Sequence, residues 1–204
     1  MAERSAFFEG TGMPDPGWWE ALWPDPGGVL VKVGLKPGMD VVDLCSGDGW
    51  FTHQIAKIAR HVTAIDIDGK LLETARLRLA EYGQSNCTFV EGDAYDIAAL
   101  VDRAVDFVFL ANAFHGVPDK PRLATAVARA LKPGGLFVIV NWHARPREEN
   151  DGAGRAARPG NGAPHRSGSG QGRSATNGLQ ACSDCRCTSL SLRQYLRGEC
   201  KLTR

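Results

Sequence analysis

Residues 39–52 have the sequence MDVVDLCSGDGWFT, and this stretch decides the fold of the chain. Val41, Val42 and Leu44 form a short apolar run of the kind that a parallel sheet buries on both faces. A turn of small residues follows, and apolar residues from Phe51 onward then recur at helical spacing. A strand, a glycine turn and a helix N-terminus in this order predict a nucleotide-binding corner, because glycines let a ligand approach the backbone and the helix end presents free N–H groups.

Asp43, near the end of this strand, indicates which ligand the corner should bind. A dinucleotide fingerprint serves a pyrophosphate, and a carboxylate beside it would repel that anion. Asp43 instead suits a ligand with a cationic end, such as the amino group of S-adenosylmethionine. The segment 43–49, DLCSGDG, resembles the first motif of the class I S-adenosylmethionine-dependent methyltransferases, acid-x-Gly-x-Gly-x-Gly, with Cys45 in place of the first glycine. The turn must therefore accept a side chain at Cys45.

Two more acidic residues follow the next two predicted strands. Asp66 ends the second strand, about 20 residues after the glycine turn, where nucleotide-binding sheets hold ribose hydroxyls. A carboxylate suits that position because it accepts two hydrogen bonds from a vicinal diol. Asp93 follows the third strand, and the resemblance implies that it accepts a hydrogen bond from the adenine amino group. The cofactor site implied by the resemblance consists of Asp43, Cys45, Ser46, Gly47, Gly49, Asp66, Ile67, Asp93, Ala94 and Asn112.

Some of these acids also have a plainer interpretation. Asp93 could be an ordinary loop aspartate. Asp68, two residues after Asp66, could cap a helix that begins near Lys70. Three acids at the ends of three successive strands nevertheless favour the cofactor site over coincidence.

The remaining elements predict an α/β fold with a Rossmann-like sheet of five strands, flanked by helices. Strands are expected at 41–44, 61–65, 87–90, 105–110 and 136–140, and helices at 51–59, 70–82 and 121–131. The resemblance implies a further helix at 28–33, ahead of the first strand, and a KPGG turn at 132–135 that leads into strand five. The resemblance covers residues 28–143. It implies a closing C-terminal hairpin, which we expect this chain to lack.

His115 is the candidate catalytic residue. Ligands of open α/β sheets bind outside the carboxyl ends of the strands, and Asn112, His115 and His143 all follow strands four and five there. His115 would serve as a general base if the methyl acceptor carries a proton that must be lost. Its plainer interpretation is a histidine of the loop or the pocket lining.

Composition and charge limit the other functions. A chain of 204 residues suits one domain with a sizeable core, and the net charge of +1 gives no electrostatic argument for nucleic acid or an anionic membrane. No apolar run is long enough to span a bilayer, and no secretory signal is visible. We therefore expect a cytoplasmic protein with no nucleic-acid or membrane partner, while the oligomeric state stays open. The resemblance implies methyl transfer from S-adenosylmethionine to a nucleophile on a small molecule or a protein, and a small molecule is the expected acceptor.

The chain divides into three predicted parts: an aromatic N-terminal cap at 1–27, the cofactor-binding domain at 28–149 and a low-complexity tail at 150–204. The cap either covers the cofactor and shapes a substrate pocket, or its tryptophans fill a groove on the domain. The tail is rich in Gly, Arg, Ser and Pro, which predicts disorder. It would leave strand five without an antiparallel partner, and we expect an aggregation-prone chain of low activity.

The tail also contains a cysteine cluster at Cys182, Cys185 and Cys187. A metal site would need a second pair at ligand spacing, and Cys200 alone is a poor partner, so no metal site is predicted. Our hypothesis is that the tail is a frameshifted family C-terminus. Permitted codons from Asn150 onward, when read one base later, can spell a helix and a closing hairpin like those of the family.

Two alternative functions remain open. A nicotinamide-dependent oxidoreductase uses the same kind of corner, but Asp43 and the absence of a third glycine at Thr52 argue against it. The other alternative is a defective or non-catalytic product that still binds the cofactor.

Overall fold

Strands and helices alternate along the chain, and the strands join into one sheet. This computed structural model describes Gly17, Trp19, Glu20, residues 23–141 and the strand residues 189–190, and all of them belong to one compact unit. The predictions on His143, on the cysteine cluster and on the rest of the tail lie outside the described residues.

Five helices and six strands are described. The helices are α1 (Pro26–Lys32), α2 (Trp50–Ala56), α3 (Gly69–Glu81), α4 (Ile97–Leu100) and α5 (Lys120–Ala130). The strands are β1 (Asp40–Leu44), β2 (His61–Asp66), β3 (Cys87–Glu91), β4 (Val105–Ala111), β5 (Leu131–Val140) and β6 (Ser189–Leu190). Single 3₁₀ turns lie at Ala94–Asp96 and Phe114–Gly116. The predicted Rossmann-like α/β sheet of five parallel strands is confirmed.

The apolar run of β1 is explained by burial on both faces of the sheet. Val41, Val42 and Leu44 are all fully buried. Val41 belongs to the apolar cluster that contains Ile55 of α2, whereas Val42 and Leu44 belong to the cluster that contains Leu123 of α5. Helices therefore cover both faces, as a doubly wound parallel sheet requires.

The sheet order places a crevice at the end of β1. The strands lie in the order β3-β2-β1-β4-β5-β6, so β1 pairs with β2 on one side and with β4 on the other. The chain reverses its direction of winding between β3 and β4. Ligands of such sheets bind at this reversal, outside the carboxyl ends of the strands.

The fifth strand begins earlier than the sequence predicts. Leu131 already pairs with Val105, while the next paired residues are Leu136 and Phe107. The predicted KPGG turn therefore occurs as an irregularity inside β5 rather than ahead of it. Gly134, at a φ of 84°, provides the left-handed backbone that this irregularity needs.

The expectation that strand five lacks an antiparallel partner is wrong over two residues. Ser189 pairs with Val138, and Leu190 pairs with Phe137, both in antiparallel register. The prediction rested on the composition of the tail and overlooked a local signal. Residues 188–192 read TSLSL, and this alternation of polar and apolar residues is typical of a strand with one buried face.

Candidate functional site

The glycine turn between β1 and α2 has a left-handed backbone at three positions. Cys45, Gly47 and Gly49 have φ values of 59°, 57° and 78°. The turn does accept a side chain at Cys45, at the steric cost that a non-glycine residue meets in this conformation. Cys45 therefore adopts the left-handed backbone that a glycine at this position of the motif would adopt without that cost.

Gly49 is required by packing as well as by its backbone angle. A Cβ atom there would lie 2.6 Å from Cβ and 2.9 Å from Cα of Ala75 in α3. Real Cβ atoms do not approach backbone that closely, so a side chain would push α3 away from the turn. Gly49 thus holds the N-terminus of α2 against α3.

Asp43 is buried, and its one described partner is a hydroxyl group. The residue is 1% exposed, and its Oδ2 accepts a hydrogen bond of 2.6 Å from Thr52 Oγ1. Burial raises the pKa of Asp43 to about 7, and the neighbouring carboxylates of Asp66 and Asp48 act in the same direction. In the sequence, Thr52 stands where a third glycine of a dinucleotide fingerprint would be, whereas in the structure its hydroxyl group is the donor to Asp43.

Asp66 joins the end of β2 to the glycine turn. Its Oδ2 accepts from the Gly47 backbone N–H at 2.8 Å, and its Oδ1 accepts from the Asp68 N–H at 3.0 Å. Burial raises the pKa of Asp66 above its ordinary value. The cap interpretation of Asp68 is confirmed, since its side chain accepts from the Lys70 N–H at the start of α3.

Neither Asp43 nor Asp66 forms an ion pair with any described Lys, Arg or His. Asp48, within the same turn, differs from both. Its Oδ2 lies 2.8 Å from Arg78 Nη2 of α3, and its Oδ1 accepts from the Trp50 N–H at 3.3 Å. Neither Asp48 nor Arg78 is predicted as a site residue, because a pair 30 residues apart leaves no local pattern in the sequence.

Ser46 contributes a buried hydroxyl group at the same corner. The residue is 8% exposed, and its Oγ has no hydrogen-bond partner among the described residues. Its backbone N–H donates to the Ile65 carbonyl of β2 at 3.0 Å. A buried hydroxyl without a partner costs free energy, and such a group commonly marks the position of a ligand atom.

The end of β3 carries Asp93, which is predicted to accept a hydrogen bond from the adenine. Asp93 caps the 3₁₀ turn that follows, because its Oδ1 accepts from the Tyr95 N–H at 2.8 Å. Ala94 is buried, whereas Ile67, after β2, is an apolar side chain that is 38% exposed. The structure thus gives Asp93 a capping contact and leaves an apolar surface at Ile67.

Asn112 and His115 lie beyond the end of β4. Asn112 has a left-handed backbone with a φ of 58°, and its N–H donates to the Val140 carbonyl of β5 at 2.7 Å. His115 Nδ1 lies 3.0 Å from Asn141 Oδ1, at the end of β5. These contacts tie the loop after β4 to β5, on the edge of the sheet that also holds the glycine turn.

The described part of the N-terminal segment packs on α2. The Trp19 ring is stacked 5.9 Å from the ring of Trp50, and the Trp23 ring meets the Phe51 ring edge-on at 5.4 Å. Trp19 and Trp23 thus pack against aromatic residues of α2. The role of the segment as a cap over the cofactor stays a prediction.

Within the described residues, no cluster of three or more His, Cys, Asp or Glu side chains could hold a metal ion. In the same part of the chain, no helix has the length and apolar character to cross a membrane.

The region around this corner is similar in sequence to known methyltransferases. Residues 42–139 match the family profile described as "Methyltransferase domain". The 2-phytyl-1,4-naphtoquinone methyltransferase of Nostoc sp. is 32% identical over 120 residues, which are 57% of this chain and 52% of that protein. The sterol 24-C-methyltransferase ERG6A of Gibberella zeae is 30% identical over 122 residues, 59% of this chain and 32% of that protein.

A solved structure supports the same assignment. The crystal structure of a SAM-dependent methyltransferase from Aquifex aeolicus superposes with a TM-score of 0.58 at 26% identity, over 66% of this chain and 72% of that chain. The chain spans about half the length of the quinone methyltransferase that it matches.

Proposed function

We propose that this chain, which belongs through residues 42–139 to the class I S-adenosylmethionine-dependent methyltransferases, transfers a methyl group from S-adenosylmethionine to a small-molecule acceptor. The observation that carries the proposal is the corner between β1, β2 and α2. It combines a left-handed turn, a buried hydroxyl group, the buried carboxylate of Asp43 and the partly buried carboxylate of Asp66. Among the described residues, the hydroxyl group has no hydrogen-bond partner and neither carboxylate has a cation. Each of these features is unfavourable for folding alone and becomes favourable with a suitable ligand.

The residues at this corner fit S-adenosylmethionine. The cofactor has a ribose diol, which can donate to carboxylate oxygens, and a cationic methionine end, which a carboxylate attracts. Ser46 Oγ offers a further donor and acceptor for a polar cofactor atom. When bound, the cofactor supplies an electrophilic methyl group on a sulfonium, which is already a good leaving group.

Asp66 and Asp43 would act on the cofactor in different ways. Each oxygen of Asp66 already accepts one backbone N–H and can accept a second hydrogen bond, so the residue suits the ribose diol. Asp43 is only 1% exposed, so a ligand atom at the surface cannot donate a hydrogen bond to it directly. We infer that Asp43 attracts the cationic end through its charge, which the Thr52 hydroxyl stabilises.

The other cofactor residues would provide shape. Cys45, Gly47 and Gly49 set the backbone path that brings N–H groups and Ser46 toward the ligand. The adenine would lie in the region of Ile67, Asp93 and Ala94, with the exposed side chain of Ile67 as an apolar surface and the Asp93 carboxylate as a hydrogen-bond acceptor. Asn112 would border the site from the end of β4.

His115 is the proposed catalytic residue. With Asn141 Oδ1 as acceptor, Nδ1 carries the ring hydrogen, and Nε2 of the neutral imidazole is then a proton acceptor. The contact also holds the ring in one orientation. His115 Nε2 would take the proton from an acceptor that must lose one, while the chain otherwise orients the two substrates.

Two measurements test the proposal in sequence. Calorimetric titration should give saturable binding of S-adenosylmethionine and none of NAD; the reverse would assign the chain to the oxidoreductases. Transfer of a labelled methyl group should then be assayed with quinone and sterol acceptors, the classes named for the relatives above. Binding without transfer to any acceptor would favour the non-catalytic alternative.

A further inference from the structure

The glycine turn between β1 and α2 is joined to α3 by a buried ion pair. Arg78 Nη2 lies 2.8 Å from Asp48 Oδ2, and the two side chains are 16% and 8% exposed. Every other ion pair of the described residues includes a side chain that is at least 38% exposed. Removal of one member of a buried pair leaves the other as an uncompensated buried charge, so each of these two residues depends on the other.

Asp48 is the one side chain at the centre of the turn. It lies between Gly47 and Gly49, which have left-handed backbones and no side chains. Because the backbone of glycine is conformationally permissive, the shape of such a turn depends on contacts that hold it from outside. Asp66 supplies one such contact, to the Gly47 N–H. Arg78 supplies another, through Asp48.

The part of α3 that carries Arg78 also packs against the turn. Ala75 lies three residues earlier on the same face of the helix, and it is the residue that a side chain at Gly49 would strike. Ala75 is buried, and so is Leu79, next to Arg78. The guanidinium group of Arg78 therefore extends toward the turn from a helix that packing holds in place.

The pair also keeps the charge of Asp48 from adding to that of the corner. Of the three acids Asp43, Asp48 and Asp66, only Asp48 pairs with a described cationic side chain. Asp48 is close enough to Asp43 for its carboxylate to raise the pKa of Asp43. Without Arg78, the corner would hold a third unpaired carboxylate, and carboxylates at close range repel each other. Loss of Arg78 should therefore loosen the turn as well as remove an anchor.

We propose that Arg78 is a positioning residue for the cofactor: its pairing with Asp48 holds residues 45–49 in the shape that binds S-adenosylmethionine. The inference rests on the proposed function, because that function assigns the cofactor to this turn. Arg78 acts through Asp48 and need not contact the cofactor.

Calorimetric titration of the full chain with S-adenosylmethionine tests the proposal. Arg78→Gln should weaken binding roughly tenfold, because the turn loses an anchor while Asp48 stays buried and charged. Arg76→Gln makes the same change on an exposed face of α3, where Arg76 pairs with Glu73, and should leave the affinity unchanged. Addition of Asp48→Asn to Arg78→Gln removes the buried charge and lets two amides hydrogen-bond, so the affinity should return to within about threefold of wild type.

Urea unfolding of the same variants separates this role from a general contribution to stability. An Arg78→Gln chain that unfolds at lower urea but binds the cofactor like the wild type would overturn the proposal, and so would a double variant that binds as weakly as Arg78→Gln. If Arg78→Gln does not fold, Arg78→Lys provides the test. It keeps the charge but not the planar guanidinium group, and it should weaken binding about threefold. Unchanged affinity in that variant would equally overturn the proposal.

A measurement on the free chain distinguishes failure of this inference from failure of the proposed function. In nitrogen-15 nuclear magnetic resonance spectra, the amide signals of Gly47 and Gly49 should shift in Arg78→Gln and stay in place in Arg76→Gln. If the wild-type chain does not bind S-adenosylmethionine, the proposed function is wrong whatever these signals show. Binding by the wild type, together with unshifted glycine signals in Arg78→Gln, would show instead that the turn does not depend on Arg78.

Discussion

Each end of β1 holds a buried carboxylate, but only one of the two is paired with cationic side chains. Asp40 and Asp43 lie three residues apart on the strand, and they are 2% and 1% exposed. Asp40 forms ion pairs with Arg60 and Arg103, and Lys132 lies 3.8 Å away. Hydrogen bonding to Arg60, and to Arg103 beside it, outweighs burial and holds the pKa of Asp40 below its ordinary value.

Asp43 has a hydroxyl group where Asp40 has guanidinium groups, and burial raises its pKa. At the amino end of the strand, the Asp40 carboxylate is therefore neutralised by arginines of the chain. At the carboxyl end, the Asp43 carboxylate is not neutralised by any described cationic side chain. An acid that a fold buries without a cation is costly, and such an arrangement is typical of a functional site. The comparison predicts that changes at one end alter stability, whereas changes at the other alter binding and turnover.

The largest expected effect of this division concerns His115. If it is the general base, His115→Ala should lower kcat by roughly 10²–10⁴-fold, with little change in cofactor affinity. Arg103→Ala at the opposite end of the sheet should leave kcat unchanged, since the Arg103 side chain is 63% exposed and contacts Asp40. Wild-type turnover in the His115 variant on its true acceptor would return that residue to a role in the loop or the pocket lining.

Asp66 should give the next largest effect. Asp66→Ala removes a charged acceptor for the ribose and should weaken S-adenosylmethionine binding by about 1.5–3 kcal/mol in calorimetry. A matched control is Asp106→Ala, because Asp106 is also a partly buried acid in the sheet but pairs with Lys132 at the other end. Equal losses of affinity in the two variants would contradict the assignment of Asp66.

Asp43 should make cofactor binding depend on pH. A cationic ligand favours the ionised carboxylate, whose pKa in the protein is about 7, so affinity should rise with pH through that value. Binding should be about fivefold weaker at pH 6 than at pH 7, and Asp43→Asn should remove the dependence. A wild-type affinity that is flat between pH 6 and pH 7 would show that the charge of Asp43 plays no part.

The smallest effect should be on stability, and its sign should differ between the two acids. Asp40→Asn should lower the free energy of unfolding at pH 8 by about 1 kcal/mol, because its cationic partners are largely exposed and screened. Asp43→Asn should leave that free energy unchanged or raise it, since the variant no longer ionises a buried group. Urea unfolding of both variants at pH 8 provides the measurement.

The contributions of Asp40 and Asp43 to stability should depend on pH in opposite directions. The pKa of Asp43 is raised from 3.8, so its stabilising contribution is present below that value and is lost as pH rises to about 7. The pKa of Asp40 is lowered, so its contribution is present above 3.8 and is lost as pH falls through its folded value. A stability difference between wild type and Asp43→Asn that stays constant from pH 4 to pH 7 would contradict this account.

The sequence by itself determined the corner and most of the elements, but not α4 or β6. Alternating strand and helix patterns, with Gly83 after α3 and a cap at Asp68, depend on neighbours within a few residues, and such signals can be read along the chain. The turn at 43–49 can likewise be predicted from the residues of that segment alone. Even β6 had a local signal, although the composition of the tail outweighed it in the prediction.

Only the tertiary structure decided which charges are paired. Asp40 and Asp43 look alike in sequence, and their different partners come from residues as far away as Arg103 and as near as Thr52. The buried hydroxyl of Ser46 and the Arg78–Asp48 pair also depend on where separate elements meet. The physical reason is that burial and ion pairing are set by distances in space, which a linear pattern of residue types does not specify.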